Sequence, residues 1–336
     1  MTYTIQIVTQ NSDPYLNDVL EHCWTLTIPP TSVIIVDNAS TDDTLPIIYR
    51  HQKNHPTTLT LLRNVSNVGF SKGHNQAFAL SRRKGVEAAF VLNPDVLLEP
   101  DSTERLITVL TNRTDCGSTT GKLLRMGEAS GQHQRIDSAG LAITRSLRVI
   151  DRGAGELERG QYDMLVEVFG GSGAATLYRL KALDDAQQGG MDFDEKFFAY
   201  KEDIDLAFRL RWRGWKCWYH PEVVGYHART HRGGTLREIL TQRKYRSVRT
   251  RQYSYRNHFW MLLKNVPVSI LARQFAWILM VEVGHIVYFS VTEPRTLFAL
   301  SAVLRGLPRI AKERQSIFSS AVGSNKSFIQ WMNFTI

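Results

Sequence analysis

The run Ser32-Val-Ile-Ile-Val-Asp37-Asn-Ala-Ser-Thr-Asp42 joins an apolar, β-branched segment to a short polar turn. Valine and isoleucine favour a buried β-strand, and Pro29 and Pro30 mark where that strand starts, because proline cannot donate to a strand's hydrogen-bond ladder. A helix is predicted to begin after the turn, over residues 42–50. The run therefore predicts a buried strand followed by a helix, which is the repeating unit of an α/β fold.

The same alternation continues on both sides of this unit. Strands are predicted over residues 3–9, 58–63 and 88–93, with helices over 14–26 and 71–84. A strand and a helix that recur about every 28 residues are typical of a mostly parallel sheet flanked by helices. Ligands of such sheets bind beyond the carboxyl ends of the strands. Residues 117–162 lack this regularity and are predicted to form short strands and loops.

Polar residues stand at three of these strand ends, in Thr9-Gln-Asn11, Asp37-Asn38 and Asn93-Pro-Asp95. Because the carboxyl ends of parallel strands meet at one edge, these side chains are predicted to converge on one site. Helix capping explains one such residue, but it explains three on one edge less well. No Gly-x-Gly-x-x-Gly run follows the first strand and no P-loop lysine is present, so dinucleotide oxidoreductases and P-loop nucleoside triphosphatases are disfavoured.

A second cluster of acids opens a helix predicted to start at Glu202. Glu202, Asp203 and Asp205 fall in its first turn, where carboxylates complement the positive end of the helix dipole. One acid would suffice for capping, so three indicate a further role. The pattern along the helix predicts an apolar inward face and a basic face toward solvent, formed respectively by Leu206, Phe208 and Leu210 and by Arg209, Arg211 and Arg213.

The composition describes a globular chain of 336 residues, 43% hydrophobic and 22% charged. This length predicts about two domains, or one large domain with an appendage. Its three cysteines form no Cys-x-x-Cys pair, which disfavours a disulfide framework or a zinc ribbon and predicts a reducing compartment. The N-terminal residues have no signal-peptide pattern, so secretion by that route is not expected.

The formal net charge of +9 is concentrated between Arg229 and Arg273, a segment with eleven Lys or Arg residues and one acid, Glu238. A solvated basic helix, a nucleic-acid-binding stripe and a segment that binds a membrane surface are the competing interpretations. We favour the membrane surface, because anionic lipids attract polybasic segments and no nucleic-acid-binding motif accompanies the charge.

An apolar segment of 19 residues follows, from Gln274 to Thr292. Its length raises the question of a transmembrane helix. A glutamate at the centre of a bilayer costs about 2.5–3.5 kcal/mol, so we favour a helix that lies in the membrane interface or packs on the protein. On a helical wheel, its polar residues fall within about 100° of one another; they are Gln274, Glu282, His285, Thr292 and Glu293.

Four motifs follow one another along the chain. They are Val36-Asp37-Asn38-Ala-Ser-Thr-Asp42, Asn67-Val-Gly69-Phe70-Ser-Lys-Gly73-His-Asn75-Gln76, Leu92-Asn93-Pro94-Asp95, and Phe193-Asp194-Glu195-Lys-Phe197-Phe198-Ala-Tyr200-Lys-Glu202-Asp203-Ile-Asp205-Leu-Ala-Phe-Arg209. Together they resemble the family 2 inverting glycosyltransferases, most closely the bacterial rhamnosyltransferase type. The resemblance implies a Rossmann-like GT-A domain over residues 1–235 and a basic, amphipathic helical region over 236–336.

The resemblance assigns roles in a donor site. Asp37 would accept a hydrogen bond from the imide N–H of uracil or thymine, with Thr9 and Asn11 beside the base. Asp95 matches the last position of the D-x-D motif, whose carboxylate holds Mg²⁺ or Mn²⁺ on the donor diphosphate. Asn93 stands where many relatives carry the first aspartate, which leaves metal binding mainly to Asp95. Further donor contacts are expected from Asn38, Asn67, Gly69, Lys72, Asn75 and Arg256.

The resemblance also assigns the catalytic groups. Glu202 and Asp203 match the family's E-D motif, in which Asp203 would be the general base that deprotonates the acceptor hydroxyl. Asp205 is expected to cap or orient the helix. In some relatives a histidine from the following region completes the metal shell; His227 is the first candidate here and His231 the second.

The expected function combines these roles. It is inverting transfer of L-rhamnose from dTDP-L-rhamnose to a glycan or a polyprenyl-diphosphate-linked glycan, in the synthesis of a cell-surface polysaccharide such as O-antigen. The expected location is the cytoplasm, peripheral on the inner face of the cytoplasmic membrane, and no nucleic-acid partner is expected. Two alternatives stay open: another donor such as a UDP-hexose, and a non-catalytic relative that binds glycans or membranes.

Overall fold

A computed structural model describes residues 1–126, 134–228 and 247–332. Its strands are β1 (Tyr3–Thr9), β2 (Ser32–Asp37), β3 (Leu59–Arg63), β4 (Ala88–Leu92), β5 (Val96–Leu98), β6 (Cys116–Arg125), β7 (Ile136–Ser138), β8 (Leu141–Ile143), β9 (Val149–Asp151), β10 (Val166–Val168), β11 (Ala175–Arg179) and β12 (Lys216–His227). Its α-helices are α1 (Asp13–Trp24), α2 (Thr44–Asn54), α3 (Phe70–Arg83), α4 (Ser102–Asn112), α5 (Leu180–Ala186), α6 (Glu202–Trp212), α7 (Val248–Asn265), α8 (Val268–Arg273), α9 (Phe275–Thr292), α10 (Ala299–Ser319) and α11 (Asn325–Met332).

The predicted α/β alternation is confirmed from β1 to β4. Strand β1 pairs in parallel with both β2 and β4, and β2 pairs in parallel with β3. The apolar residues on one face of these strands are buried in a core with α1, and those on the other face are buried against α3. In the register of β1 and β2, Thr9 lies opposite Asp37. The two polar strand ends therefore meet at one edge, as the sequence predicted.

The second half of the sheet contains a strand that the sequence pattern did not indicate. Within the described residues the ten-stranded sheet has the order β10-β12-β6-β11-β4-β1-β2-β3, and β5 and β7 pair with β12 and β6. Strand β6 occupies part of the segment expected to be irregular and is buried along its whole length. A strand covered on both faces needs no alternation of polar and apolar residues. Its small residues are also required: a Cβ atom on Gly121 would collide with Val223.

The C-terminal helices share a hydrophobic core with α6. The ring of Trp212 lies 4.9 Å from that of Trp331 and 6.0 Å from that of Phe328, measured between centroids. The Trp212 indole also donates a hydrogen bond to the backbone carbonyl of Asn265 at 2.9 Å. The helices after residue 247 thus complete the burial of α6. The expected boundary between residues 235 and 236 lies outside the described residues.

The prediction that the arginines of α6 face solvent is wrong for two of the three. Arg209 and Arg211 are only 3% and 4% exposed. The Arg209 Nε donates to Asp205 at 2.9 Å, and the Arg211 Nε donates to the backbone carbonyl of Phe169 at 2.9 Å. The charges can be buried because each has an acceptor in place. The sequence pattern could not indicate this, because the acceptors come from segments distant in the sequence: the carbonyls of Ala186 and Asp192 for Arg209, and Glu167 with the carbonyls of Val168 and Phe169 for Arg211.

A buried network of charges joins α6 to the C-terminal helices through Lys264, which is fully buried on α7. Its Nζ lies 3.0 Å from Asp194, 3.2 Å from Asp205 and 3.3 Å from Glu313. Burial acts to raise the pKa of Asp194, but Lys264 and Arg309 outweigh it and lower that pKa to about 2. Lys264 belongs to the segment expected to form a basic surface, and it instead neutralises buried acids. Asp205 takes part in this network and makes no helix cap of its own.

Candidate active site

The first cavity, of about 600 Å³, opens beyond the carboxyl ends of β1 and β4. The turn before α6 and the first residues of α7 close its other side, with Tyr200, Arg249 and Tyr253 among the lining residues. It brings together seven of the predicted donor-site residues, which are Thr9, Asn11, Asn38, Asn67, Gly69, Asn93 and Asp95. Side chains that lie far apart in the sequence thus line one space.

The loops after β1 and β2 are locked together beneath this cavity. The Thr9 hydroxyl donates to the buried Asp37 carboxylate at 3.2 Å, and the Asp37 carboxylate also accepts the Ser40 N–H at 3.2 Å. Asn11 has a left-handed backbone with φ of 52°, and its side-chain oxygen accepts the Thr41 N–H at 2.8 Å. These contacts fix the positions of Asp37 and Asn11 without a ligand.

Gly69 allows the second motif to approach the turn before α6. Its φ is 88°, and a Cβ atom there would collide with the carbonyl oxygen of Phe198. The Asn67 side chain accepts the Gly69 N–H at 2.8 Å, and the Asn38 amide donates to the Gly69 carbonyl at 3.2 Å. Only glycine combines this backbone conformation with so close an approach.

Four predicted donor contacts do not line the first cavity: Asp37, Lys72, Asn75 and Arg256. Asp37 is buried beneath it, behind Thr9. Lys72 is exposed on α3. The Asn75 amide donates to the carbonyl of Phe193 and accepts its N–H, both at 2.9 Å. Arg256 donates to the carbonyl of Lys196 at 2.7 Å. Asn75 and Arg256 thus contact the segment that precedes α6, and the donor contacts expected of all these residues stay predictions.

The second cavity, of about 900 Å³, contains the E-D motif. Glu202 and Asp203 line it, together with His227 and part of the β8–β9 hairpin. It shares five lining residues with the first cavity, which are Phe70, Asn93, Asp95, Ala199 and Tyr200. A ligand in one cavity can therefore contact a ligand in the other at Asp95 and Tyr200.

The Asp203 carboxylate is oriented by two backbone donors. One oxygen accepts the Gly173 N–H at 2.9 Å and the other accepts the Ile204 N–H at 2.8 Å. Burial raises the pKa of Asp203, although the Gly173 N–H and Lys201 act in the opposite direction. Each oxygen retains a further lone pair for a substrate proton. The geometry and the raised pKa suit a general base.

Glu202 differs from its neighbour because it lacks a hydrogen-bond partner. Its Oε2 is buried and unpaired among the described residues. Burial raises its pKa well above the ordinary glutamate value, with the charge of Asp203 adding to the effect. Burial favours the neutral form of a carboxyl group, and in that form Glu202 can donate a hydrogen bond into the second cavity.

The turn between the two cavities is held in an unusual conformation. Phe198, Tyr200 and Lys201 have φ of 67°, 73° and 75°, and such residues cost about 1–3 kcal/mol each. The side-chain amide of Asn257 donates to the carbonyls of Phe197, Ala199 and Tyr200 at 2.9, 3.0 and 2.8 Å. Our sequence reasoning missed Asn257; its only signal there is an amide within an aromatic stretch of α7.

Asp95 and His227 meet where the cavities join. The His227 Nε2 lies 3.2 Å from the Asp95 carboxylate, and its Nδ1 lies 2.8 Å from that of Asp137. Burial acts to lower the pKa of His227, but hydrogen bonds to the two carboxylates raise it to about 9. Sequence reasoning missed Asp137, which lies 90 residues from its partner. His231 lies outside the described residues.

These two residues fit a divalent cation that completes its shell with substrate oxygens. The cation would have to displace the proton that the two carboxylates favour on His227, because only a neutral imidazole can ligate a metal. An imidazole whose second nitrogen is held by a carboxylate, as Asp137 holds that of His227, is a common arrangement around metals. Asp95 supplies a hard oxygen ligand. The described residues contain no group of three or more His, Cys, Asp or Glu side chains that could hold a metal unaided.

The sequence of this chain matches a known protein family over most of its length. The profile of the family described as "Glycosyltransferase like family 2" matches residues 2–253. A relative from Mycobacterium tuberculosis, N-acetylglucosaminyl-diphospho-decaprenol L-rhamnosyltransferase, is 26% identical over 255 residues. That alignment covers 68% of this chain and 76% of the relative.

Solved structures with the same fold include TarS of S. aureus, with a TM-score of 0.57 and 16% identity. The alignment covers 99% of this chain but only 54% of TarS. Another is the mannosyltransferase PcManGT of Pyrobaculum calidifontis, in complex with GDP-Man and Mn²⁺, with a TM-score of 0.53 and 18% identity. It is covered over 84% of its length, and this chain over 99%.

The role of the hydrogen bonds from Asn257 to the turn can be tested by mutation. Replacing Asn257 by alanine removes the donor that three carbonyls of the turn share. The Phe197 carbonyl keeps the Ala199 N–H at 2.8 Å, so the cost of about 1–3 kcal/mol for an unsatisfied group falls on the carbonyls of Ala199 and Tyr200. Hydrogen–deuterium exchange of the amides at 198–201 is expected to accelerate, while β1 and β2 stay protected. The exposed amide Asn325, replaced by alanine, is the control and is expected to change neither region. Unchanged exchange at 198–201 in Asn257→Ala would contradict the role given to this side chain.

Proposed function

The chain belongs to glycosyltransferase family 2 and has the GT-A fold, and from that premise we propose that it is an inverting, metal-assisted glycosyltransferase. The donor proposed is dTDP-L-rhamnose, and the acceptor is a glycan carried on a polyprenyl diphosphate. One observation carries the proposal of transfer: the two cavities meet at Asp95 and Tyr200, with the Asp203 carboxylate inside the second. The donor occupies the first cavity and the acceptor the second.

The reaction is a single displacement at the anomeric carbon. The acceptor oxygen forms a bond to that carbon, the bond to the diphosphate oxygen breaks, and the nucleoside diphosphate leaves with the bonding electrons. Asp203 takes the proton of the acceptor hydroxyl, and Glu202, whose pKa burial raises, lies beside it in the second cavity as a hydrogen-bond partner for the sugar. A divalent cation, Mg²⁺ or Mn²⁺, held by Asp95 and His227 would neutralise the charge that develops on the leaving diphosphate.

Support for the donor comes from the base site and from sequence similarity. Thr9 lines the first cavity and donates to the buried Asp37 carboxylate behind it, which Ser40 also holds. A carboxylate at this position suits the imide N–H of thymine or uracil. The mycobacterial relative is an L-rhamnosyltransferase with a diphospho-decaprenol acceptor. A UDP-hexose presents the same imide and is the alternative donor.

Support for a lipid-linked acceptor comes from α9, which buries its one acid and exposes apolar side chains. Among the described residues, α9 is the helix long and apolar enough to cross a membrane, with a mean hydropathy of 1.6. Its acid points inward: Glu282 is buried and pairs with Arg148 at 2.6 Å. Burial acts to raise the pKa of Glu282, but contacts with His258 and Arg148 lower it to about 2. The outward side chains are apolar and include Phe275, Trp277, Leu279, Met280, Val283, Ile286, Val287 and Val291.

A helix in the membrane interface accounts for this arrangement better than a spanning one. The buried Glu282 ion pair holds α9 on the β8–β9 hairpin, which is part of the wall of the second cavity. Exposed basic residues lie near both ends of α9, at Arg273 and Arg295. We therefore place the protein peripherally on the cytoplasmic face of the membrane, with the acceptor cavity beside the lipid surface.

The base assignment is tested by Asp203→Asn. An amide cannot accept the acceptor proton, so transfer from dTDP-L-rhamnose is expected to fall by about 10²–10⁴-fold while affinity for dTDP changes little. The wild-type rate is expected to fall as the pH drops, with a midpoint above the ordinary aspartate pKa of 3.8, because a base with a raised pKa is protonated earlier. NMR of the product is expected to show that the configuration at the anomeric carbon is inverted relative to the donor. Retention of more than a tenth of the wild-type rate would refute this role for Asp203.

Membrane binding is tested by sedimentation with anionic liposomes. The full chain is expected to sediment with the liposomes at low salt. High salt is expected to weaken this binding without releasing all of the protein, because salt screens only the electrostatic contribution. Replacing Leu279 and Val287 by aspartate on α9 is expected to release the protein. The matched control is Val65→Asp, which changes a fully exposed valine in the loop after β3. Absence of binding at low salt would refute the membrane assignment and leave the transferase assignment standing.

A further inference from the structure

The first cavity has little positive charge for the ligand proposed for it. Of the described residues that line it, Asp95 is the one acid and Arg249 is the one lysine or arginine. Lys72 and Arg256, the basic residues that the sequence suggested, do not line it. A nucleoside diphosphate carries several negative charges and lies beside the Asp95 carboxylate. The divalent cation proposed at Asp95 offsets part of this charge, and a cationic side chain on the opposite wall would offset more.

The Arg249 side chain is oriented by two aromatic residues. Its Nε donates a hydrogen bond to the Tyr253 hydroxyl at 2.7 Å. Its guanidinium carbon lies 5.4 Å from the ring centroids of both Phe198 and Tyr253, within range of cation–π attraction. The two terminal nitrogens have no partner among the described residues. A planar fork held in this way can bind two phosphate oxygens at once.

The position of Arg249 at the start of α7 adds to this effect. Ser247 caps the helix by accepting the Thr250 N–H at 3.1 Å. The helix is 18 residues long and therefore has a substantial dipole. Its positive N-terminal end faces the first cavity, because Ser247 and Thr250 line that cavity. The helix dipole and the guanidinium therefore favour an anion at the same place.

We propose that Arg249 binds the diphosphate of the nucleotide-sugar donor. The inference rests on the proposed function, because it takes the first cavity as the donor site. Arg249 donates from its terminal nitrogens to the diphosphate oxygens, opposite Asp95, while Tyr253 and Phe198 hold its plane. Phe198 belongs to the turn that separates the two cavities, so Arg249 links a bound diphosphate to that turn.

The test compares nucleoside diphosphates with nucleosides on the full chain. Affinities for dTDP and UDP are measured by calorimetry, and those for thymidine and uridine by ligand-observed NMR at millimolar concentration. Charged hydrogen bonds contribute about 1.5–3 kcal/mol, so Arg249→Gln is expected to weaken diphosphate binding by about 10- to 100-fold and to leave nucleoside binding unchanged. Arg249→Lys keeps the positive charge but lacks the planar guanidinium. Its affinity for the diphosphates is expected to lie between those of the wild type and Arg249→Gln. The matched control is Arg251→Gln, since Arg251 pairs with Glu293 at 3.6 Å.

The outcomes separate the two proposals. If the wild type binds dTDP or UDP and Arg249→Gln binds it equally well, the inference is wrong and the proposed function stands. If Arg249→Gln weakens nucleoside binding as much as diphosphate binding, Arg249 acts on the fold and the inference is again wrong. If the wild type binds neither diphosphate, with or without Mn²⁺, the proposed function fails and this inference fails with it.

Discussion

The turn between the two cavities is the constraint on which the site depends. Phe198, Tyr200 and Lys201 have left-handed backbone conformations, which side-chain-bearing residues avoid unless their surroundings impose them. Asn257 imposes them by donating to three carbonyls of the turn. The turn then brings Tyr200 between the cavities and starts α6, so that Asp203 enters the second cavity. Gly69 completes the fit by leaving room for the Phe198 carbonyl.

Because Asn257 lies on α7, the C-terminal helices are part of the site. They bury α6 through Trp212, Phe328 and Trp331, and they neutralise Asp194 and Asp205 through Lys264. The Arg148–Glu282 ion pair connects α9 to the β8–β9 hairpin, which forms part of the wall of the second cavity. The helical region therefore supports the catalytic turn, and the same packing turns the apolar face of α9 outward. A single set of contacts relates the site to the surface that we assign to the membrane.

The sequence predicted what is encoded locally. The units from β1 to β4 were recognised because hydrophobic patterns, prolines and polar strand ends repeat over short distances, and Thr9, Asp37 and Asp95 were found because they follow those strands. Strand β6 was missed because a strand buried on both faces shows no alternation. The residues that were missed or misplaced depend on partners distant in the sequence: Asp137 contacts His227, and Asn257 contacts the turn. Arg209 and Arg211 donate to acceptors 17 to 44 residues before them. No local pattern reports such contacts.

The central claim is that transfer takes place across the turn, from the first cavity to the second. A crystal structure of the full chain with dTDP and an acceptor glycan tests it most directly. The account predicts the base beside Thr9 and Asn11, the diphosphate between Asp95 and Arg249, and an acceptor hydroxyl within hydrogen-bond distance of Asp203. A nucleotide bound in the second cavity, or an acceptor bound away from Asp203, would contradict it.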